Sequence, residues 1–280
     1  MKKVLDISVY FVSVLGSLSV LLLTNANVLD VLICFALYIP FSAICVLVNK
    51  KFINNKYFKM FATIVSLAVG FFGILISAKL VSETDILTKN LFPLMLVITG
   101  VFSTLLSLSK TDAMKSVFAI CSFITLSVFI LTLILSVIDT DFSSITFEKA
   151  DFKKITVLMS LVFADAFVMS VRFNNTNVTD MLVGGAIAFL LFILALIVSL
   201  SVLSPDVYYN LETPLFKLWQ STYITSFLNR FEVVTVSSLF LMSALKSGAA
   251  VSQSVCYFGK KYVSLVCAIL VFACLIVSFL

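Results

Sequence analysis

The stretch Leu190 Leu191 Phe192 Ile193 Leu194 Ala195 Leu196 Ile197 Val198 Ser199 Leu200 Ser201 Val202 Leu203 decides the fold. It has no period-two alternation, so it is not a strand of a transmembrane barrel. Nor does it have a polar stripe at helical spacing, so it is not a surface helix of a soluble domain. A segment apolar on every face belongs in hydrocarbon or in the middle of a bundle. Within a membrane the helix satisfies every backbone N–H and C=O internally.

Working outward, the same pattern recurs along the chain. A spanning helix needs about 20 mostly apolar residues. Nine segments approach or meet that length, at 4–26, 28–49, 59–82, 91–109, 115–138, 155–172, 181–204, 233–255 and 262–280. Hydrophobic residues make up 61% of the chain and charged ones 12%, well above the roughly 45 to 50% apolar content of soluble domains. The expected fold class is therefore all-α, a polytopic membrane protein of about nine transmembrane helices. Most connections are short, which leaves residues 1–280 as a single integral domain. The start, Met1 Lys2 Lys3, resembles a secretory signal, but the apolar run after it is long and has no evident cleavage site. It reads as the first span.

Lysine and arginine set the orientation. With the N-terminus on the cytoplasmic side, that side collects Lys2, Lys3, Lys50, Lys51, Lys56, Lys59, Lys110, Lys115, Arg172, Lys260 and Lys261. The outer side holds Lys79, Lys89, Lys149, Lys153, Lys154, Lys217 and Arg230, and Lys246 lies between. This bias favours a cytoplasmic N-terminus. The net charge of +5 then follows from topology and contact with anionic lipid heads, with no nucleic-acid partner required.

Several chemistries have no residues to carry them. There is no histidine, which removes His-based metal sites, His general bases and any conventional serine–histidine pair. Cys34, Cys45, Cys121, Cys256, Cys267 and Cys274 lie in or beside spans without C-x-x-C spacing and read as small packing residues. No phosphate-binding glycine loop occurs, and no metalloprotease motif. The N-x-[ST] matches at Asn174 and Asn177 fall in a loop expected on the cytoplasmic side. Neither an enzyme nor a cofactor is expected.

The informative departures are charges inside spans. Lys246 lies about thirteen residues into the eighth segment, ~20 Å along a helix, and Asp165 about ten residues into the sixth, ~15 Å. An ammonium in hydrocarbon costs at least ~2.5 to 3.5 kcal/mol on insertion scales, so it needs a partner, a wet cavity or a function. Both segments enter from the same side, so Asp165 and Lys246 can pair. Three readings stay open: a pair that fixes helix register, a lysine that replaces a coupling cation or moves protons, and a lysine that snorkels toward the inner interface. Ser237, Ser238, Ser243 and Ser247 can line a polar path or pack helices. Arg230 and Glu232, at the head of the eighth segment, are candidates for an outer gate or a structural ion pair.

The longest connection, 205–231, holds Thr213 and Pro214 in the order of an N-cap and first helical residue. The short helix they open contains Leu215, Phe216, Leu218 and Trp219. With Tyr208, Tyr209 and Tyr223 close by, it reads either as an interfacial helix resting on lipid or as a lid folded over an outer vestibule.

Thr213 Pro214 Leu215 Phe216 Lys217 Leu218, then Ser226 Phe227 Leu228 Asn229 Arg230 Phe231 Glu232, then a helix carrying Lys246 fourteen residues after Glu232, resembles the spore germination permeases. These are the B-type subunits of nutrient germinant receptors, in the amino acid, polyamine and organocation transporter superfamily. The likeness is clearest over residues 155–253. It implies two five-helix repeats related by inversion, 1–138 and 155–280, with the second one helix short of the family's ten spans. It also implies a small nutrient ligand such as an amino acid bound near the midplane, with Gly16, Asp165 and Lys246 approaching one cavity on the ligand or ion pathway. Gly16, amid Ser13, Ser17 and Ser19, can supply an unwound turn. The sixth segment contains neither Gly nor Pro, so nothing marks a break there. The implied setting is a bacterial cytoplasmic or inner spore membrane, with an A-type subunit and a lipoprotein as partners. The other function carried is a non-transporting structural or assembly subunit on the same scaffold.

Overall fold

A computed structural model describes residues 2–24, 27–82, 92–137, 149–173, 177–211, 213–221, 231–259 and 262–279. All regular structure among them is helical. The helices are α1 (Lys2–Leu18), continued by a 3₁₀ segment (Ser19–Leu23), α2 (Val28–Phe52), α3 (Lys56–Ser82), α4 (Phe92–Ser107), α5 (Thr111–Val137) and α6 (Phe152–Arg172). Then come α7 (Val178–Leu203), the short α8 (Pro205–Asn210) and α9 (Pro214–Ser221), and finally α10 (Phe231–Phe258) and α11 (Val263–Phe279). Seven of the nine expected spans are helices long and apolar enough to cross a membrane. The other two, α4 and α11, are apolar but have only 16 and 17 residues.

The chain is a membrane-embedded helical bundle, and its exposed surface is apolar for the same reason. Leu47, Leu105, Phe123 and Phe272 are each at least 65% exposed, which is sensible only where the solvent is lipid. Charged and amide side chains fix the helix ends instead. Asn27 caps α2 and forms a reciprocal capping box with Asp30. The other oxygen of Asp30 accepts from the Asp151 amide at 2.8 Å, which ties the start of α2 to the start of α6. At the opposite end the Asn49 amide donates to the Ser170 carbonyl at 2.6 Å, so α2 and α6 are joined at both ends.

Close helix approach is made by residues without a side chain. Between lipid-solvated helices there is little hydrophobic driving force, so packing depends on how near the backbones come. A Cβ on Gly184 of α7 would lie 2.5 Å from the Ile7 carbonyl oxygen and 2.9 Å from the Phe11 nitrogen of α1. Neither backbone atom can move aside cheaply. α7 runs unbroken through Gly184 and Gly185, so both glycines serve packing there.

The short helix α9 is folded inward. Leu215, Leu218 and Trp219 are buried, and the Trp219 ring meets Phe129 of α5 edge-on with centroids 5.6 Å apart. Phe129 in turn packs on Phe192 of α7 at 5.6 Å. The interfacial reading of α9 is therefore corrected: its apolar face, together with buried Tyr208 of α8, closes onto the bundle. Tyr223 lies outside the described residues. Composition does not separate the two readings, because an amphipathic helix with aromatics suits a headgroup layer and a protein groove equally.

Two stability outcomes follow. Gly184→Ala should lower the melting temperature of the purified protein through overpacking worth about 1 to 3 kcal/mol. Trp219→Ala should cost more, about 3 to 5 kcal/mol, measured by the same thermal unfolding in detergent. A Trp219→Ala protein as stable as wild type would mean that α9 is not docked.

Candidate functional site

Four helices, α1, α3, α6 and α10, meet at a point deep inside the bundle, α1 with Gly16 and Ser17, α3 with Gly73, α6 with Asp165 and α10 with Lys246. Lys246 comes from the middle of α10 and is 1% exposed, despite being one of the longest side chains in the protein. Its ammonium donates to Asp165 Oδ2 on α6 at 2.6 Å. Asp165 is 2% exposed. Ser17 of α1 completes the cluster: its hydroxyl donates to the same carboxylate oxygen and accepts from Lys246 Nζ at 3.4 Å. A hydroxyl has one proton and two lone pairs. Ser17 therefore fits between cation and anion, giving its proton to the acid and a lone pair to the ammonium.

The lysine stem has its own requirements. A Cβ on Gly16 would sit 3.0 Å from Lys246 Cδ and 3.3 Å from the Met242 carbonyl carbon and oxygen. From the other side, Gly73 of α3 lies against the same turn of α10, where a Cβ would come 2.2 Å from Ser247 Oγ and 3.5 Å from Lys246 Cε. The two glycines make the slot that the methylenes occupy. Ser243 of α10 and Ser77 of α3 both donate to the Gly73 carbonyl, at 3.2 and 2.5 Å.

This geometry corrects the reading of Gly16. Helix α1 continues through it, and the change to 3₁₀ winding starts three residues later, at Ser19. Gly16 is required by the close approach of α10, so it makes no unwound turn. α6 is likewise continuous from Phe152 to Arg172, as its lack of Gly and Pro implies. Gly16, Asp165 and Lys246 do meet at one place, but they meet packed together. Pockets of about 490, 280 and 240 Å³ among the described residues are lined by other side chains. The snorkelling reading of Lys246 is overturned by its direct contact with Asp165. Of the serines flanking Lys246, Ser243 and Ser247 bond to backbone carbonyls and Ser238 to the Thr235 carbonyl. Arg230 lies outside the described residues. Glu232 falls within α10, but its side chain is outside them too.

A second buried ion pair escaped the sequence reading. Lys115 at the start of α5 donates to Asp6 of α1, and both side chains are nearly buried. The Lys115 ammonium also lies 5.5 Å from the centre of the Phe173 ring, at the end of α6. Phe173 meets Phe118 of α5 edge-on at 6.1 Å. Lys115 counted only as a topological charge in sequence. Its burial depends on α1, α5 and α6 converging, which no local pattern records.

Compared with protein-family models, with curated proteins and with solved structures, the chain matches none. Its fold and site define it as a helical membrane protein with an ion pair at the centre of the bundle.

Removing one partner from a buried pair leaves an uncompensated charge, at a cost of about 3 to 5 kcal/mol, whereas replacing both by apolar groups is often neutral. Lys246→Met should therefore lower thermal stability sharply, and adding Asp165→Leu should restore most of it. A double variant no more stable than Lys246→Met would show that the pair contributes beyond mutual neutralisation. Likewise Lys115→Met should be destabilising, and Asp6→Leu should rescue it in the same unfolding measurement.

Proposed function

We propose that this protein is a permease-like membrane subunit resembling the B-type subunits of spore germinant receptors. In this reading it binds a small nutrient such as an amino acid, and transports it or reports it to partner subunits. The A-type membrane subunit and the lipoprotein of such receptors are the partners this reading carries. Its setting is a bacterial cytoplasmic or inner spore membrane with the N-terminus cytoplasmic.

The observation that carries this reading is the position of the Asp165 and Lys246 pair where α1, α3, α6 and α10 meet. The packing around that point supports a repeat of five spans. Exchanging α1 with α6, α2 with α7, α3 with α10 and α4 with α11 turns the contact of α1 on α7 into that of α6 on α2. The same exchange turns α1 on α10 into α6 on α3, and α4 on α10 into α11 on α3. All six contacts occur. Five alternating spans per repeat would invert the second repeat relative to the first, and inverted-repeat transporters bind substrate at the repeat interface. Gly16 and Asp165 then belong to one exchanged pair of helices, and Gly73 and Lys246 to the other.

Ligand chemistry follows from the pair itself. An amino acid zwitterion carries one carboxylate and one ammonium. It can exchange partners with Lys246 and Asp165, leaving no buried charge unpaired. Arg230 and Glu232 remain the candidates for an outer gate or structural pair in this scheme.

A second reading, a non-transporting structural subunit on the same scaffold, is favoured by one observation. The pair is closed on itself, on an α6 that has no break.

The two readings separate by experiment. With protein purified in detergent, a panel of amino acids is screened by thermal shift. The permease reading expects at least one ligand to stabilise wild type, and the Asp165→Asn and Lys246→Ala proteins that can be purified, though less stable, to lose the response. A wild-type protein without any response favours the structural reading.

A further inference from the structure

At the end of the bundle where α1 begins lies a pocket of about 280 Å³ that the central ion pair does not touch. The first turns of α3 provide Phe58, Lys59 and Thr63, the last turn of α6 provides Arg172, and the last turns of α10 provide Gln253 and Tyr257. We infer that this pocket is a phosphate-binding site, and that its occupant is the headgroup phosphate of an anionic phospholipid.

Charge is the first ground. Two cations line the pocket and no carboxylate does. Among the described residues, neither Lys59 nor Arg172 has an acid within ion-pair distance. Two acid–base pairs among the described residues are spent elsewhere, Asp6 on Lys115 and Asp165 on Lys246. The helix ends do not cancel this. α2, α6 and α10 finish here with about half a negative charge each and α3 begins with about half a positive one, about one negative charge in sum against two full cations.

Geometry is the second ground. Arg172 is aimed rather than free: its Nε donates to Ser252 Oγ of α10 at 2.5 Å, and its guanidinium lies 5.9 Å from the centre of the Phe173 ring. One edge of the guanidinium is fixed by those contacts. Its terminal N–H groups remain for an anion, the fork geometry in which arginine binds phosphate oxygens. Lys59 is exposed and adds a mobile point charge across the pocket.

A third observation separates a lipid from a dissolved anion. On α3, immediately next to Lys59 and Thr63, the side chains of Met60, Phe61 and Ile64 are about half exposed. A phosphate held at the pocket thus has an apolar helix face beside it for its acyl chains. Basic pockets between helices at a membrane surface bind acidic lipid headgroups in this manner.

The test uses the whole protein in a neutral detergent, titrated with phosphatidylglycerol, with phosphatidylcholine or with inorganic phosphate, and read by melting temperature. Phosphatidylglycerol should raise the wild-type melting temperature saturably, and phosphatidylcholine should not. Lys59→Gln should weaken the apparent affinity at least about fivefold, the size of one basic contact to an anionic lipid surface. Arg172→Gln should do the same. Lys79→Gln, at the far end of α3, should leave it unchanged. Inorganic phosphate that stabilises wild type but not Lys59→Gln would make the site a general phosphate site. Lys59→Gln and Arg172→Gln proteins that respond like wild type would overturn the assignment. So would an equal loss in Lys79→Gln, since the attraction would then be diffuse surface charge. Lys59 is exposed and, among the described residues, its side chain makes no hydrogen bond or ion pair, so that variant decides the matter even if Arg172→Gln fails to accumulate.

Discussion

A charge inside this bundle has no water to fall back on, and that constraint organises the middle of the molecule. Lys246 can be there because Asp165 faces it, because Ser17 bridges the two, and because Gly16 and Gly73 leave room for its stem. Each condition comes from a different helix, so α1, α3, α6 and α10 cannot shift independently. A sliding movement of one helix by a turn would carry a charge about 5.4 Å, beyond hydrogen-bond reach of its partner. The pair therefore acts as a register pin whatever else it does. It is also the place where a charged ligand would be welcome, since a zwitterion can take over both partners.

The spans were legible because their signal is one of composition, and a lipid solvent leaves no other way to bury a run like 190–203. Asp165 and Lys246 were legible for the complementary reason: in an apolar segment a charge stands out, and nearly level depth limits the choice of partner. Gly16 was misread because a glycine among serines has the same appearance whether the backbone unwinds or a neighbour presses against it. Only the nearness of Met242 and Lys246 distinguishes these. Asp6 and Lys115 were missed because, near the end of a span, a charge has water as a ready explanation. The docking of Trp219 depended on where Phe129 lies, and those residues are ninety positions apart in the chain.

Cations at one end of this protein do different work. Lys115 is committed to the bundle, balanced by Asp6 and lying against the Phe173 ring. Arg172, next in sequence to that ring and also close to it, gives its Nε proton to Ser252 and lines an acid-free pocket. Counting both as topological charges is sound for orientation, but it hides the fact that one is internally neutralised and the other is not. Neighbouring basic residues at a membrane surface thus divide between holding helices together and meeting the lipid.

The distance in sequence between the central partners also matters while the chain is being made. Asp165 and Lys246 are separated by 81 residues, and synthesis at about 5 to 20 residues per second leaves a gap of about 4 to 16 seconds between them. During that interval α6 has been produced with an acid in its middle and no lysine to meet it. Ser17 belongs to the first helix and has existed since much earlier. It is the one member of the cluster that can receive Asp165 on arrival, so this serine is placed to hold the acid until α10 emerges from the ribosome with its cation.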